Sequence, residues 1–303
     1  MNVNDNGVGV NYLKSIGNTP LLRLAKICPR GNLYVKAEWY NPGRSVKDRA
    51  ALQMVRSAID SGELTAEKTI LDATSGNTGI AYAMIGTLLG YKVKLCIPGN
   101  VTASRIRILR VYGAELVLTD PLRGSDGAIE AVRKLYAENP EEYYYPDQYS
   151  NENNWKAHFQ TTGPEIIEQT RSRVSHFVAT LGTSGTFMGV GRYLKSINPQ
   201  IQLYEVQPDS PFHGLEGLKH MDTALVPRIY DPYFADRKMT CRTEDAYHMV
   251  KAMALQEGML IGVSGGAAVQ CALKVAREHP EGTVVTIIPD NGDKYLEERF
   301  WDE

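Results

Sequence analysis

The stretch Asn41-Pro42-Gly43-Arg44-Ser45-Val46-Lys47-Asp48-Arg49 sets one lysine, Lys47, at the first turn of an amphipathic helix. Ser45 and Asp48 stand at capping-box spacing, the serine placed to bond into the first turn and the acid favoured by the helix dipole. Ala50, Ala51, Met54, Val55, Ala58 and Ile59 then recur at helical period. An amine near the positive end of a helix and beside an apolar face loses its proton more readily than one in water. A neutral lysine amine is what Schiff-base chemistry requires. Taken alone, such a lysine is far more often a solvated residue flanking a helix.

Three glycine-rich turns give it company. Thr74-Ser75-Gly76-Asn77-Thr78-Gly79 joins a strand-like run to a helix start, offering backbone N–H groups and small hydroxyls to an anion, phosphate or carboxylate. The Asn77 amide suits a phenolate-like oxygen. Gly182-Thr183-Ser184-Gly185-Thr186 has the same context, and its glycines and three hydroxyls suit a phosphate monoester. It lacks the lysine of a P-loop and the spacing of a dinucleotide fingerprint, although Glu205 comes close to the offset of a ribose partner. In Gly262-Val263-Ser264-Gly265-Gly266-Ala267, Ser264 stands where a helix N-cap would. A serine hydroxyl also bonds a ring nitrogen without forcing it to protonate. One lysine, one phosphate cup, one amide and one serine make up a site for pyridoxal phosphate.

These motifs, with Gly17-Asn18-Thr19-Pro20-Leu21, Thr161, Gly163-Pro164-Glu165 and Gly292-Asp293-Lys294-Tyr295-Leu296, follow one another in a familiar order. Over nearly its full length the chain resembles the cysteine synthases (serine sulfhydrylases) among the fold-type II pyridoxal-phosphate enzymes. The resemblance implies that Lys47 carries the cofactor as an imine and that Asn77 meets its ring hydroxyl. It implies a phosphate cradle of Gly182, Thr183, Ser184, Gly185 and Thr186, with Ser264 at the pyridine nitrogen. Thr74, Ser75, Thr78 and Gln148 correspond to the substrate carboxylate site. Two departures stand out: Arg44 replaces a usual glycine and adds charge beside the lysine, and Gly265 replaces a usual Ser or Thr.

The implied reaction is β-replacement. An activated serine loses its α-proton to Lys47, its β-substituent leaves to give an aminoacrylate, and sulfide or another sulfur donor adds, yielding L-cysteine. Gly217-Leu218-Lys219-His220-Met221-Asp222, Val226-Pro227 and Ile229-Tyr230-Asp231-Pro232 are similar to the branch that uses O-phosphoserine, with Lys219 as the phosphate's cation. A surface lysine in a long loop is the competing reading, so O-acetylserine stays open. Within the same chemistry stand a cystathionine β-synthase-like replacement by homocysteine and a serine or threonine dehydratase. A nucleotide-binding oxidoreductase is the alternative from another class. A homodimer is implied, and a sulfur-carrier protein or an acyltransferase stands as a candidate partner.

The elements that must hold these residues alternate. Strands are expected over residues 69–74, 92–98, 114–119, 176–181, 203–207 and 283–289, and helices over 80–89, 102–112, 125–138, 163–169, 187–196, 243–256 and 265–278. The tract 139–154 breaks the rhythm, and 208–242 reads as irregular. The resulting fold class is α/β: two doubly wound domains with mainly parallel sheets, tryptophan synthase β-like, with the cofactor between them. Residues 42–146 form the smaller, mobile unit; residues 1–41 and 147–303 form the larger one. At 303 residues and a net charge of -2 the chain has room for both cores and no basic footprint for nucleic acid. No apolar run reaches membrane-spanning length, and residues 1–10 lack signal-peptide character and read as a frayed arm. Four widely spaced cysteines and six histidines show no ligand spacing, so no metal is expected and a reducing cytoplasm fits. The run Tyr143-Tyr144-Tyr145 reads as packing or as an interface.

Overall fold

A computed structural model describes residues 11–74 and 76–302; the arm expected over residues 1–10 lies outside them. Strands β1 (Leu21–Arg23) and β2 (Asn32–Ala37) are followed by α1 (Lys47–Asp60). Next come β3 (Thr69–Ala73), α2 (Asn77–Leu89), β4 (Val93–Pro98), α3 (Ala103–Val111), β5 (Glu115–Thr119), α4 (Gly124–Glu138) and β6 (Tyr143–Tyr144). The rest comprises α5 (Glu152–Gln160), α6 (Thr162–Gln169), β7 (Val174–Thr180), α7 (Gly185–Ile197), β8 (Gln202–Pro208), β9 (Arg237–Cys241), α8 (Thr243–Ala252), α9 (Val263–Glu278) and β10 (Thr283–Ile288).

Two sheets result. The smaller has the order β5-β4-β3-β6 and the larger β1-β2-β10-β7-β8-β9. Every pairing is parallel except β1 with β2. Both faces are covered, and the strands show why. Val284 and Ile288 of β10 enter the core beneath α8 and α9, while Val285 and Ile287 enter the core beneath α7. In β4, Leu95 and Ile97 pack with α1 and α2, and Cys96 faces α4. Period-two alternation thus feeds two cores per sheet, the mark of buried parallel strands. All four cysteines are buried and unbridged.

Strands β1 and β2 lie where no strand was expected, and four further elements differ from the sequence-based expectation. Helix α5 occupies the later part of the gap between the helices expected over 125–138 and 163–169; its polar start, with two asparagines, hides the helical period, although Asn151 caps it by accepting from Asn153 N at 2.9 Å. Strand β6 is two residues of the tyrosine run, and Tyr143 and Tyr144 are both buried, so packing is their role. Strand β9 lies inside the stretch read as irregular. It is an edge strand carrying Arg237 and Lys238, and edge strands need no apolar alternation. Helix α2 begins at Asn77, three residues before the expected start.

Helix α1 ties the two sheets together. Its later turns pack into the core of the smaller sheet through Ala51, Met54, Val55 and Ala58. Arg49, in its first turn, is buried and reaches the other way. Its guanidinium donates to Glu38 Oε2 at 2.7 Å and to Glu165 Oε1 at 2.6 Å, and it bonds Thr19 Oγ1 at 3.1 Å. Lys36 joins from β2, 2.6 Å from Glu165 Oε2. Burial alone would raise the Glu38 carboxyl, but Arg49, Thr19 and Lys36 hold it down at about 2.

Candidate active site

The glycine-rich turns follow β3 and β7, so both helix starts, α2 and α7, open at the carboxyl ends of parallel strands. A cavity of about 290 Å³ lies there, between the two sheets, lined by Lys47, Thr74, Asn77, Thr78, Gln148, Ser264, Lys219 and the 182–186 loop. Its volume sits at the lower edge of the ~300–1,000 Å³ range of small-molecule sites. The structure therefore brings together every described residue that the sequence assigned to the cofactor or the substrate. Ser75 lies outside the described residues.

Lys47 is aimed by its backbone. Val46 N donates to Pro289 O at 2.8 Å, and Ser45 pairs with Asp290 in an isolated antiparallel bridge. The capping box is split. Ser45 Oγ accepts from Lys47 N at 3.3 Å, whereas Asp48 Oδ2 turns back to accept from Gly43 N at 2.5 Å. Burial lowers the pKa of the Lys47 amine, and the Asp290 carboxylate opposes that shift. Among the described residues no hydrogen bond or ion pair engages the amine. Arg44 has a left-handed φ of 63°, a backbone conformation that glycine adopts most readily. Its charge goes elsewhere than expected: Nη1 lies 2.6 Å from Asp293 Oδ2, and the side chain is not part of the cavity wall.

The 182–186 loop is a cradle with little side-chain bulk. A Cβ on Gly182 would overlap the Gly217 carbonyl, and one on Gly185 would overlap the Asn154 amide. Asn154 Nδ2 donates to Gln148 O at 2.7 Å and Thr183 Oγ1 at 3.0 Å, which fixes the loop from behind. Ser184 is the N-cap of α7 with φ 67°, and its hydroxyl is buried without a partner. An orphan hydroxyl beside a helix N-terminus and two bare glycines fits a phosphate group. Behind the loop, Thr186 Oγ1 meets His158 Nε2 at 3.3 Å and Thr162 Oγ1 meets His158 Nδ1 at 2.9 Å. Burial pushes His158 down to about 3, so its ring is neutral.

On the opposite wall, Thr78 Oγ1 donates to Gln148 Oε1 at 3.0 Å, so two of the proposed carboxylate ligands are already joined. Asn77 Nδ2 donates to Asp290 Oδ2 at 2.8 Å, and Lys294 Nζ donates to Asn77 Oδ1 at 2.5 Å. Tyr295 OH also donates to Asp290 Oδ2, at 2.8 Å. Ser264 is buried at the cavity floor in the first turn of α9, but it is not the N-cap. Gly262 takes that place with extended backbone, its N–H on Asp290 O at 3.1 Å, because a side chain there would strike the Asp290 carboxylate. Across the mouth, Arg105 of α3 makes a bidentate pair with Glu216 of the 208–236 loop. Lys219 is half-buried with its ammonium 4.9 Å from the Tyr149 ring centroid.

Glu205, the ribose-partner candidate, is fully buried outside the cavity, held by Tyr230 OH at 2.9 Å. The dinucleotide reading loses its acid. Sequence reasoning passed over Asn154, His158, Asp290 and Lys294. Lys294 lay inside a quoted motif, but a polar residue bonded across the fold leaves no local pattern.

With the cradle and the lysine facing one cavity, comparison with known proteins becomes decisive. Residues 12–290 match the family described as "Pyridoxal-phosphate dependent enzyme". The chain belongs to this family. It is 49% identical over 293 residues to a cysteine synthase of Aquifex aeolicus, covering 94% of this chain and 90% of that one. It is 40% identical to cysteine synthase B of Pseudomonas aeruginosa, covering 95% and 96%. A crystal structure of cysteine synthase (OASS) from Entamoeba histolytica superposes with a TM-score of 0.92 at 34% identity, covering 100% of this chain and 94% of that one. As in the rest of this pyridoxal-phosphate family, the cofactor is pyridoxal phosphate.

Proposed function

We propose that this chain makes L-cysteine by replacing the β-substituent of an activated serine with sulfide. One observation carries the reading: a half-buried lysine amine and an unpartnered Ser184 hydroxyl face one cavity, at the ends of two glycine-rich turns. Pyridoxal phosphate supplies an aldehyde for a lysine amine and a conjugated ring that takes up carbanion charge. Thr183, Ser184, Thr186 and the N–H groups at the start of α7 hold its phosphate, Asn77 its ring hydroxyl and Ser264 its ring nitrogen. The substrate carboxylate binds at the start of α2, to Thr74, Ser75, Thr78 and Gln148, where the helix dipole favours an anion. Burial favours the neutral form of the Lys47 amine, against the pull of the Asp290 carboxylate. Lys47 removes the proton from the substrate Cα, holds it while the β-substituent leaves and sulfide enters, and returns it to Cα.

Residues 42–146 are the proposed moving unit, and a cytoplasmic homodimer belongs to the same reading. Among the described residues no helix is long and apolar enough to cross a membrane. Support for O-phosphoserine as donor comes from Lys219, a cation in the cavity wall; a sulfur-carrier protein or an acyltransferase is a candidate partner. The deciding experiment is Lys47→Ala, expected to lose both turnover and the visible absorbance of the bound cofactor. Turnover that persists would reject the reading, and pyruvate release or use of homocysteine by the unmutated enzyme would redirect it to a dehydratase or a cystathionine β-synthase.

A further inference from the structure

Asn77 is gripped at both ends. An amide can be placed in either of two orientations, and here chemistry selects one. The Asp290 oxygen that receives Tyr295 OH at 2.8 Å acts as an acceptor, so the group 2.8 Å away on Asn77 must be the N–H side. The carbonyl oxygen then faces Lys294 Nζ at 2.5 Å. Burial lowers the pKa of Lys294, with Arg105 acting the same way, while the carboxylates of Asp290, Asp293 and Asp48 oppose that shift and favour its ammonium. Of the two Asn77 N–H bonds, Asp290 takes one. The second remains for the cavity that Asn77 lines.

Resting on the function proposed above, we propose that Lys294 and Asp290 are positioning residues that clamp the Asn77 amide, fixing its second N–H toward the cofactor ring. Lys294 draws electron density through the amide and makes that N–H a stronger donor to the ring oxygen, as linked hydrogen bonds polarise one another. Neither residue touches the reacting atoms; each acts through Asn77.

Lys294→Gln, which keeps a donor but loses the charge, and Lys294→Arg, which keeps both, separate this role from simple packing. In the holoenzyme, Lys294→Gln is expected to shift the visible absorbance maximum of the bound cofactor and to weaken its retention on the order of tenfold, the scale of a hydrogen bond to a charged group. Lys294→Arg is expected to restore both. Adding Asn77→Ala to Lys294→Gln should cost little beyond Asn77→Ala alone, because the two act in series. An unchanged spectrum and unchanged cofactor retention in Lys294→Gln, or full additivity with Asn77→Ala, overturns the clamp while leaving the assigned function standing. An unmutated protein that binds pyridoxal phosphate without visible absorbance would sink both.

Discussion

At the scale of single residues, the proposed function can be tested at Gly185 and at Lys219, both in the cavity wall. Gly185 lies against the Asn154 amide so closely that a Cβ would overlap it. Gly185→Ala must push either the loop or Asn154 aside, at about 1–3 kcal/mol for overpacking. The expected result is at least a tenfold loss of cofactor affinity by titration, with the far-UV circular dichroism unchanged. Lys219 bears on the choice of donor. Lys219→Ala should lower kcat/KM for O-phosphoserine by tenfold or more and leave O-acetylserine within about threefold. Equal losses on both esters would remove the phosphate assignment. Asn77 and the 182–186 loop were legible because glycine-rich turns recur at strand–helix junctions, and Lys47 because it opens an amphipathic helix. Asp290 was not, since a buried carboxylate that meets Asn77 across 213 positions of sequence leaves no spacing to read.

At the scale of elements, α1 is the strut between the sheets, and its first turn is anchored by charge. Removing Arg49 leaves Glu38 and Glu165 without their main partner, which typically costs about 3–5 kcal/mol for a buried pair. Arg49→Met should lower the unfolding midpoint steeply, read by thermal denaturation. The same cluster makes a pH prediction. Glu38 has a folded pKa of about 2 against an ordinary 4.5, so it is depressed. Its stabilisation is complete above the unfolded value and is lost as pH falls from about 4.5 toward 2, on the order of 3 kcal/mol in all. Glu38→Gln should flatten that acid limb; an acid limb identical to that of the unmutated protein would contradict the assignment. Strands with alternating apolar residues were readable in advance. Helix α5 and strand β9 were not, because one opens on a polar run with two asparagines and the other is a charged edge.

At the scale of the whole molecule, the cavity is built from both sheets: Thr74, Asn77 and Thr78 come from the smaller, and the 182–186 loop, Lys219 and Ser264 from the larger. A cofactor seated there links the two. Pyridoxal phosphate at 100 times its dissociation constant should raise stability by about 2.7 kcal/mol, seen as a higher melting midpoint for the holoenzyme than for the stripped protein. Equal midpoints would mean that it binds the unfolded chain as well or not at all.

The strand at the middle of the larger sheet is the last one along the chain. β10 lies between β2 and β7, and its pairing joins Val284 to Leu33. During synthesis, therefore, β2 and β7 wait on the ribosome with open edges, and no amount of early collapse can close the gap between them. Translation must pass residues 283–288 before this sheet is whole, and until then the open edges of β2 and β7 are of the kind that pair with other chains unless shielded.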